Sequence, residues 1–158
     1  MDHWSEKYVG KRWQRGVYDC ASLAIEVQKD EFGRVIELPV ERRHYPNIEL
    51  SALIDLHKAD MAVRIEHPVE GDVVLMLDNN RLNHIGTYIV IGKVPYVLHN
   101  LQKAGVVIHR LSGFGKGLLT NMVVEGFYRF INKENNTSKE ADDRAVDTDR
   151  SFTSSSSS

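Results

Sequence analysis

The sequence predicts an α+β domain: N-terminal helices packed on a mostly antiparallel β-sheet. Two observations carry this. Helix-period apolar spacing dominates the first part of the chain, and period-two alternation replaces it in the second part. Helices first and a run of strands afterwards is the pattern of a segregated α+β layer structure, not of alternating βαβ units. At 158 residues, 42% of them hydrophobic and 27% charged, the chain suits a single domain with an ordinary core.

The first helix is predicted over Cys20–Phe32. Asp19 is placed to cap its N-terminus, and Gly33 supplies the left-handed residue that ends it. Cys20, Leu23, Ala24 and Val27 follow the i, i+3, i+4, i+7 stripe, so the thiol sits at the head of the core-facing side. A second helix is predicted from Ile48 to about Asp60, capped by Asn47. Strands follow at Val73–Met76, Ile85–Ile91, Tyr96–Leu101, Val106–Leu111 and Val123–Ile131. The folded domain is expected over residues 1–131. Residues 132–158 are polar and Ser-rich, with few side chains able to offset ordering entropy, and are expected to be disordered.

Several function classes are disfavoured. A net charge of −2 leaves no general basic footprint for nucleic acid. No apolar run reaches the roughly 18 residues of a membrane span. Met1–Lys7 is polar and lacks the apolar core of a secretory signal, so the chain is expected to be made in the cytoplasm. There is no H-E-x-x-H and no C-x-x-C, so a structural or catalytic zinc site is not expected, and no Walker-type loop is present. Gly113-Phe114-Gly115-Lys116-Gly117 reads as a flexible connection.

Cys20 is the only cysteine, so an internal disulfide is excluded. Packing is the default role of a solitary thiol, because free Cys is among the most buried residue types. Its place at a helix N-terminus offers a second role, since partial positive charge there favours the thiolate.

His84 shares a strand face with Gly86 and Tyr88, and the chain returns through a Gly92-Lys93 turn to His99. A hairpin centred on Ile91–Gly92 sets His84 directly opposite His99. One centred on Gly92–Lys93 pairs His99 with Gly86 and leaves the two histidines as diagonal neighbours. The Cβ separations are about 5 Å and about 7–8 Å respectively. Gly86 would leave room for a helix end to approach. A base, an orienting group and a thiol at a helix head are the parts of a cysteine nucleophile system. Strand histidines are also commonly buried structural residues, and His99 has that reading too. His109, one strand further on, is a weaker choice for the third group. His3, His44, His57 and His67 read as surface or loop residues.

The order of these parts resembles the NlpC/P60 family of cell-wall cysteine peptidases, in particular forms found as phage or prophage tail-tip proteins. The resemblance lies in Tyr8–Gly16 leading to Asp19-Cys20 and Leu23, in Phe32-Gly33, Leu38-Pro39 and Gly71–Val74. It continues through Asn83–Tyr88, Val97–Asn100, Gly105–Val107 and Gly126–Arg129. It implies a papain-like fold, with Cys20 as nucleophile, His84 as general base and acid, and His99 as orienting group. Trp13 and Asp19 would line the substrate side. The family's commoner Asp-Cys-Ser-Gly is Asp19-Cys20-Ala21-Ser22 here, which removes a small glycine. The implied substrate is a peptide-stem amide of peptidoglycan, commonly after γ-D-glutamate, the implied partners are other tail-tip proteins, and no metal or organic cofactor is implied. Two rivals stand beside this expectation: a structural tail-assembly protein with a weak or unused site, and acyl transfer on a non-wall substrate.

Overall fold

A computed structural model of the chain describes residues 2–37 and 61–131. Among them one α-helix, α1 (Cys20–Phe32), packs on an open sheet of six strands. These are β1 (Ala62–Ile65), β2 (Val73–Asp78), β3 (Arg81–Ile91), β4 (Val94–Leu101), β5 (Gly105–Arg110) and β6 (Met122–Phe130). Their spatial order is β1-β6-β2-β3-β4-β5, and every neighbouring pair is antiparallel. The α+β class is as expected. The helix expected over Ile48–Asp60, the Leu38-Pro39 pair and the tail at 132–158 lie outside the described residues.

Helix α1 has the bounds its capping residues dictate. The Asp19 carboxylate accepts from the N–H groups of Ala21 and Ser22 at 3.1 and 3.0 Å. Gly33 is left-handed (φ +65°), and the N–H groups of Gly33 and Arg34 return to the carbonyls of Lys29 and Gln28. The expected stripe of Cys20, Leu23, Ala24 and Val27 is buried. Leu23 and Val27 meet Ile89, Leu98 and Val106 on one face of the sheet. The opposite face carries Val74, Met76 and Val97, with Phe114 and Phe127 packed against them. The C-terminal end of α1 is tied down separately. Gln28 Nε2 donates to the Gly71 carbonyl at 2.7 Å, and a Cβ on Gly71 (φ +96°) would lie 2.6 Å from the Phe32 ring.

Turn chemistry decides the registers. Gly92 and Lys93 both have positive φ, as a two-residue hairpin turn requires, and they centre the β3–β4 hairpin so that Gly86 pairs with His99. This is the second of the two registers the sequence left open. Asn79 and Asn80, also at positive φ, make a similar turn between β2 and β3. Strand β3 therefore begins at Arg81, four residues before the expected Ile85. Both ladders of β2 are shifted near Met76: Met76 pairs with His84 and Leu77 with Leu82, leaving Asn83 as an extra residue. Such a bulge re-aims the side chains beside it, here His84. The space beside Gly86 is filled by Val97 and Met76, not by a helix end. Some elements have no expected counterpart. Strand β1 is exposed at Val63 and Arg64 and so lacks an alternation signal. A 3-10 turn at Trp4–Tyr8 buries Tyr8 against the α1 face.

The β3–β4 ladder runs from Ile91–Val94 to Gly86–His99 and ends there. Below that pair β3 continues beside β2, as far as Asp78–Arg81, while β4 continues beside β5, as far as Leu101–Gly105. The two central strands thus diverge below the pair that contains His99. Residues 10–11 run along β5, with Gly10 N–H donating to the Val106 carbonyl and Val106 N–H to that of Lys11. Gly105 (φ +74°) is the contact point, since a Cβ there would fall on the carbonyl oxygen of Lys11. Gly105→Ala is expected to lower stability by about 1–3 kcal/mol through strain and backbone displacement, read as a lower urea midpoint at unchanged m-value.

Candidate active site

The divergence of β3 and β4 gives the site its place. Asn100, next to His99 on β4, donates from Nδ2 to the Tyr18 carbonyl at 3.1 Å. Tyr18 is also held by paired backbone hydrogen bonds with Gln14. These contacts fix the segment that leads into α1. Asp19 follows, caps the helix with Oδ1 and also receives the Ser22 hydroxyl at 3.1 Å. Cys20 opens the helix, 6% exposed, in a cluster that includes Ala24, Leu75, Tyr128 and Ile85, the residue after His84.

His84 and His99 are brought together. Nε2 of His84 lies 2.8 Å from Nδ1 of His99, with the rings at 73° to each other. A diagonal pair across an antiparallel ladder is within reach of long side chains, and the Asn83 bulge assists the approach. The bond uses Nε2 of His84 and leaves its Nδ1 as the ring's other polar atom. His109 completes a row: Nε2 of His99 lies 2.9 Å from Nδ1 of His109, with the rings at 65°. Phe114 lies over the row, its ring 5.5 Å from that of His99 and 6.5 Å from that of His109.

Burial sets the charge state. It drives the His84 pKa down to about 4, against a smaller upward pull from the Asp19 carboxylate. That pull also shows that the cap of α1 lies within electrostatic reach of the ring. Burial, then the neighbouring His84 and His109, hold His99 well below its usual range, and burial lowers His109 as well. At neutral pH the row is uncharged, and an uncharged imidazole can accept a proton.

Other expected site residues fall as follows. Trp13 is half-buried, one residue before the Gln14–Tyr18 bridge, and so belongs to the segment leading into α1. His3 caps the 3-10 turn through Ser5 and lies 2.7 Å from Glu70, while His67 is exposed. His44 and His57 lie outside the described residues. Among the described residues no group of three or more His, Cys, Asp and Glu side chains is arranged to hold a metal ion.

Sequence reasoning under-weighted His109 and missed Phe114. The signal for His109 was a register: Leu101 pairs with Gly105 and Val97 with His109, so His99 and His109 share a face as diagonal neighbours. The Gly113–Gly117 stretch, expected as a flexible connection, instead carries Phe114 between 3-10 turns at Leu111–Gly113 and Gly117–Leu119. No family model matches the chain, and no curated protein matches its sequence.

The buried imidazoles link folding to pH. The folded-state pKa of His84, about 4, lies below the unfolded value of 6.5. Between the two the unfolded chain binds more protons, so stability is complete above about pH 6.5 and declines as pH falls towards 4. Between pH 6.5 and 5, His84 alone is expected to withdraw roughly 2 kcal/mol. The melting temperature should therefore be lower at pH 5 than at pH 7. A flat profile would contradict the buried neutral row.

Proposed function

We propose that the chain is a thiol peptidase of the NlpC/P60 type on a papain-like fold, cleaving stem-peptide amides of peptidoglycan as a phage or prophage tail component. The observation that carries this is the 2.8 Å hydrogen bond between His84 and His99, set where Asn100 anchors the segment leading to Cys20. The substrate class rests on the sequence resemblance of the Asp19-Cys20, Asn83–Tyr88 and Val97–Asn100 segments.

In this reading Nδ1 of neutral His84 takes the Cys20 proton, and the thiolate attacks the amide carbon, forming the C–S bond. The head of α1, with the Cys20 N–H, supplies a dipole for the developing oxyanion. His84 then returns the proton to the leaving amine as the C–N bond breaks. Water, deprotonated by His84, hydrolyses the thioester and restores the thiol. His99 orients the ring and fixes which nitrogen faces the nucleophile. The Asp19 carboxylate, directed at the N–H groups of Ala21 and Ser22, caps the helix and is drawn away from opposing the thiolate.

A second reading, a tail-assembly protein with an unused site, is favoured by the low exposure of Cys20 and His84, 6% and 7%. Digestion of purified sacculi separates the two. Under the enzyme reading, Cys20→Ala and His84→Ala each lower the rate of product release by about 10³-fold or more, and His99→Ala by about 10–100-fold, with melting temperatures showing that the variants fold. A Cys20→Ala protein that releases the same muropeptides at the parent rate defeats the enzyme reading.

A further inference from the structure

Both ring nitrogens of His99 are engaged by other imidazoles: Nδ1 by His84 at 2.8 Å and Nε2 by His109 at 2.9 Å. His99 is fully buried, whereas His109 is half-buried on the edge strand β5. A neutral imidazole has one N–H and one bare nitrogen, and each hydrogen bond needs one of each. Three neutral rings joined by two bonds therefore have only two proton orders. In the outward order Nδ1 of His84 is bare, its Nε2–H donates to His99, Nε2–H of His99 donates to His109, and Nε2–H of His109 points away from the row. The inward order reverses every bond and puts a proton on Nδ1 of His84.

We propose that His109 is a positioning residue that makes the outward order available to the row and so lets Nδ1 of His84 stand bare to accept a proton. The reason lies at Nε2 of His99. With Phe114 over the ring and the surroundings buried, an N–H at Nε2 needs an acceptor, and His109 Nδ1 is the one in place. Orphaned buried N–H groups are strongly avoided, whereas an unpaired lone pair is tolerated more often. Without His109 the proton of His99 moves to Nδ1, where His84 Nε2 can accept it. That bond forces the proton of His84 onto Nδ1, and the base loses its acceptor.

The same row gives the proton a route. When Nδ1 of His84 takes a proton, the Nε2–H proton of His84 passes to His99 Nδ1. The Nε2–H proton of His99 passes to His109 Nδ1, and the Nε2–H proton of His109 goes to water. One proton enters, one leaves, and the row stays neutral in the inward order. Delivery of the Nδ1 proton of His84 to a leaving amine reverses each transfer and takes one proton back at His109 Nε2. A row of buried rings that disfavour charge thus carries a proton without holding one.

The proton order deepens the peptidase reading and rests on it for its catalytic consequence, but the order itself is measurable without substrate. The experiment is a long-range ¹H–¹⁵N correlation spectrum of the histidine rings at pH 7, assigned with His84→Gln, for the parent, His109→Phe and His109→Asn. The Asn side-chain oxygen can stand in for the accepting Nδ1. Expected are a bare Nδ1 on His84 in the parent and in His109→Asn, and a protonated Nδ1 in His109→Phe. On stem peptides kcat should fall about tenfold or more in His109→Phe at little-changed KM, and recover in His109→Asn. A protonated Nδ1 on His84 in the parent overturns the proposal whatever the variants do, as does the same His84 tautomer in all three proteins. A parent with the outward order and no peptidase activity supports the proton order and defeats the enzyme reading alone.

Discussion

Strands β3 and β4 cease to pair below Gly86 and His99, and backbone and side chains beyond that pair must find other partners. β3 keeps β2 as its neighbour and β4 keeps β5, so the sheet remains continuous through its outer ladders. On β4 the segment leading into α1 is held by Asn100 to the Tyr18 carbonyl. A helix head, with its N–H groups and capping carboxylate, meets β4 beside His99, and its charge reaches His84. The far end of α1 is locked by Gln28 and Phe32 against Gly71, so the head cannot shift without breaking buried contacts. A site held at both ends of a helix has the rigidity that positioned chemistry demands.

The histidine row differs electrically from a base paired with a carboxylate. An acidic partner would stabilise an imidazolium by direct charge, which the neutral ring of His99 does not supply. With His84 driven down to about 4 by burial, the uncharged row is the resting state. In the proposed mechanism a resting thiolate–imidazolium pair is therefore disfavoured, and proton transfer is coupled to attack.

Much of this was legible because it is local. Asp19 and Gly33 mark the ends of α1 by their own chemistry, and the Cys20–Val27 stripe gives its buried face. The hairpin placing His84 near His99 was legible up to one residue of register, which needed the positive φ of both Gly92 and Lys93 to decide. The diagonal contact of His109 with His99 depends on the β4–β5 register, which strand order alone does not give. Phe114 was missed because its role depends on contacts far along the chain, and a Gly-rich segment gives no sign of them. The ladder break at Gly86–His99 has no sequence signature. The substrate of the proposed function rests on the NlpC/P60 resemblance alone, since the geometry of three imidazoles and a thiol does not carry it.

Whether Cys20 is a nucleophile or a core filler is read most directly from its alkylation by iodoacetamide at neutral pH in the folded parent and in folded His84→Ala. A thiol whose proton the neutral imidazole takes as attack proceeds reacts in the native protein, and about tenfold or more slower once His84 is removed. A thiol that serves only to pack reacts when the protein unfolds, and loses no rate on removal of His84. That result would contradict the site described above.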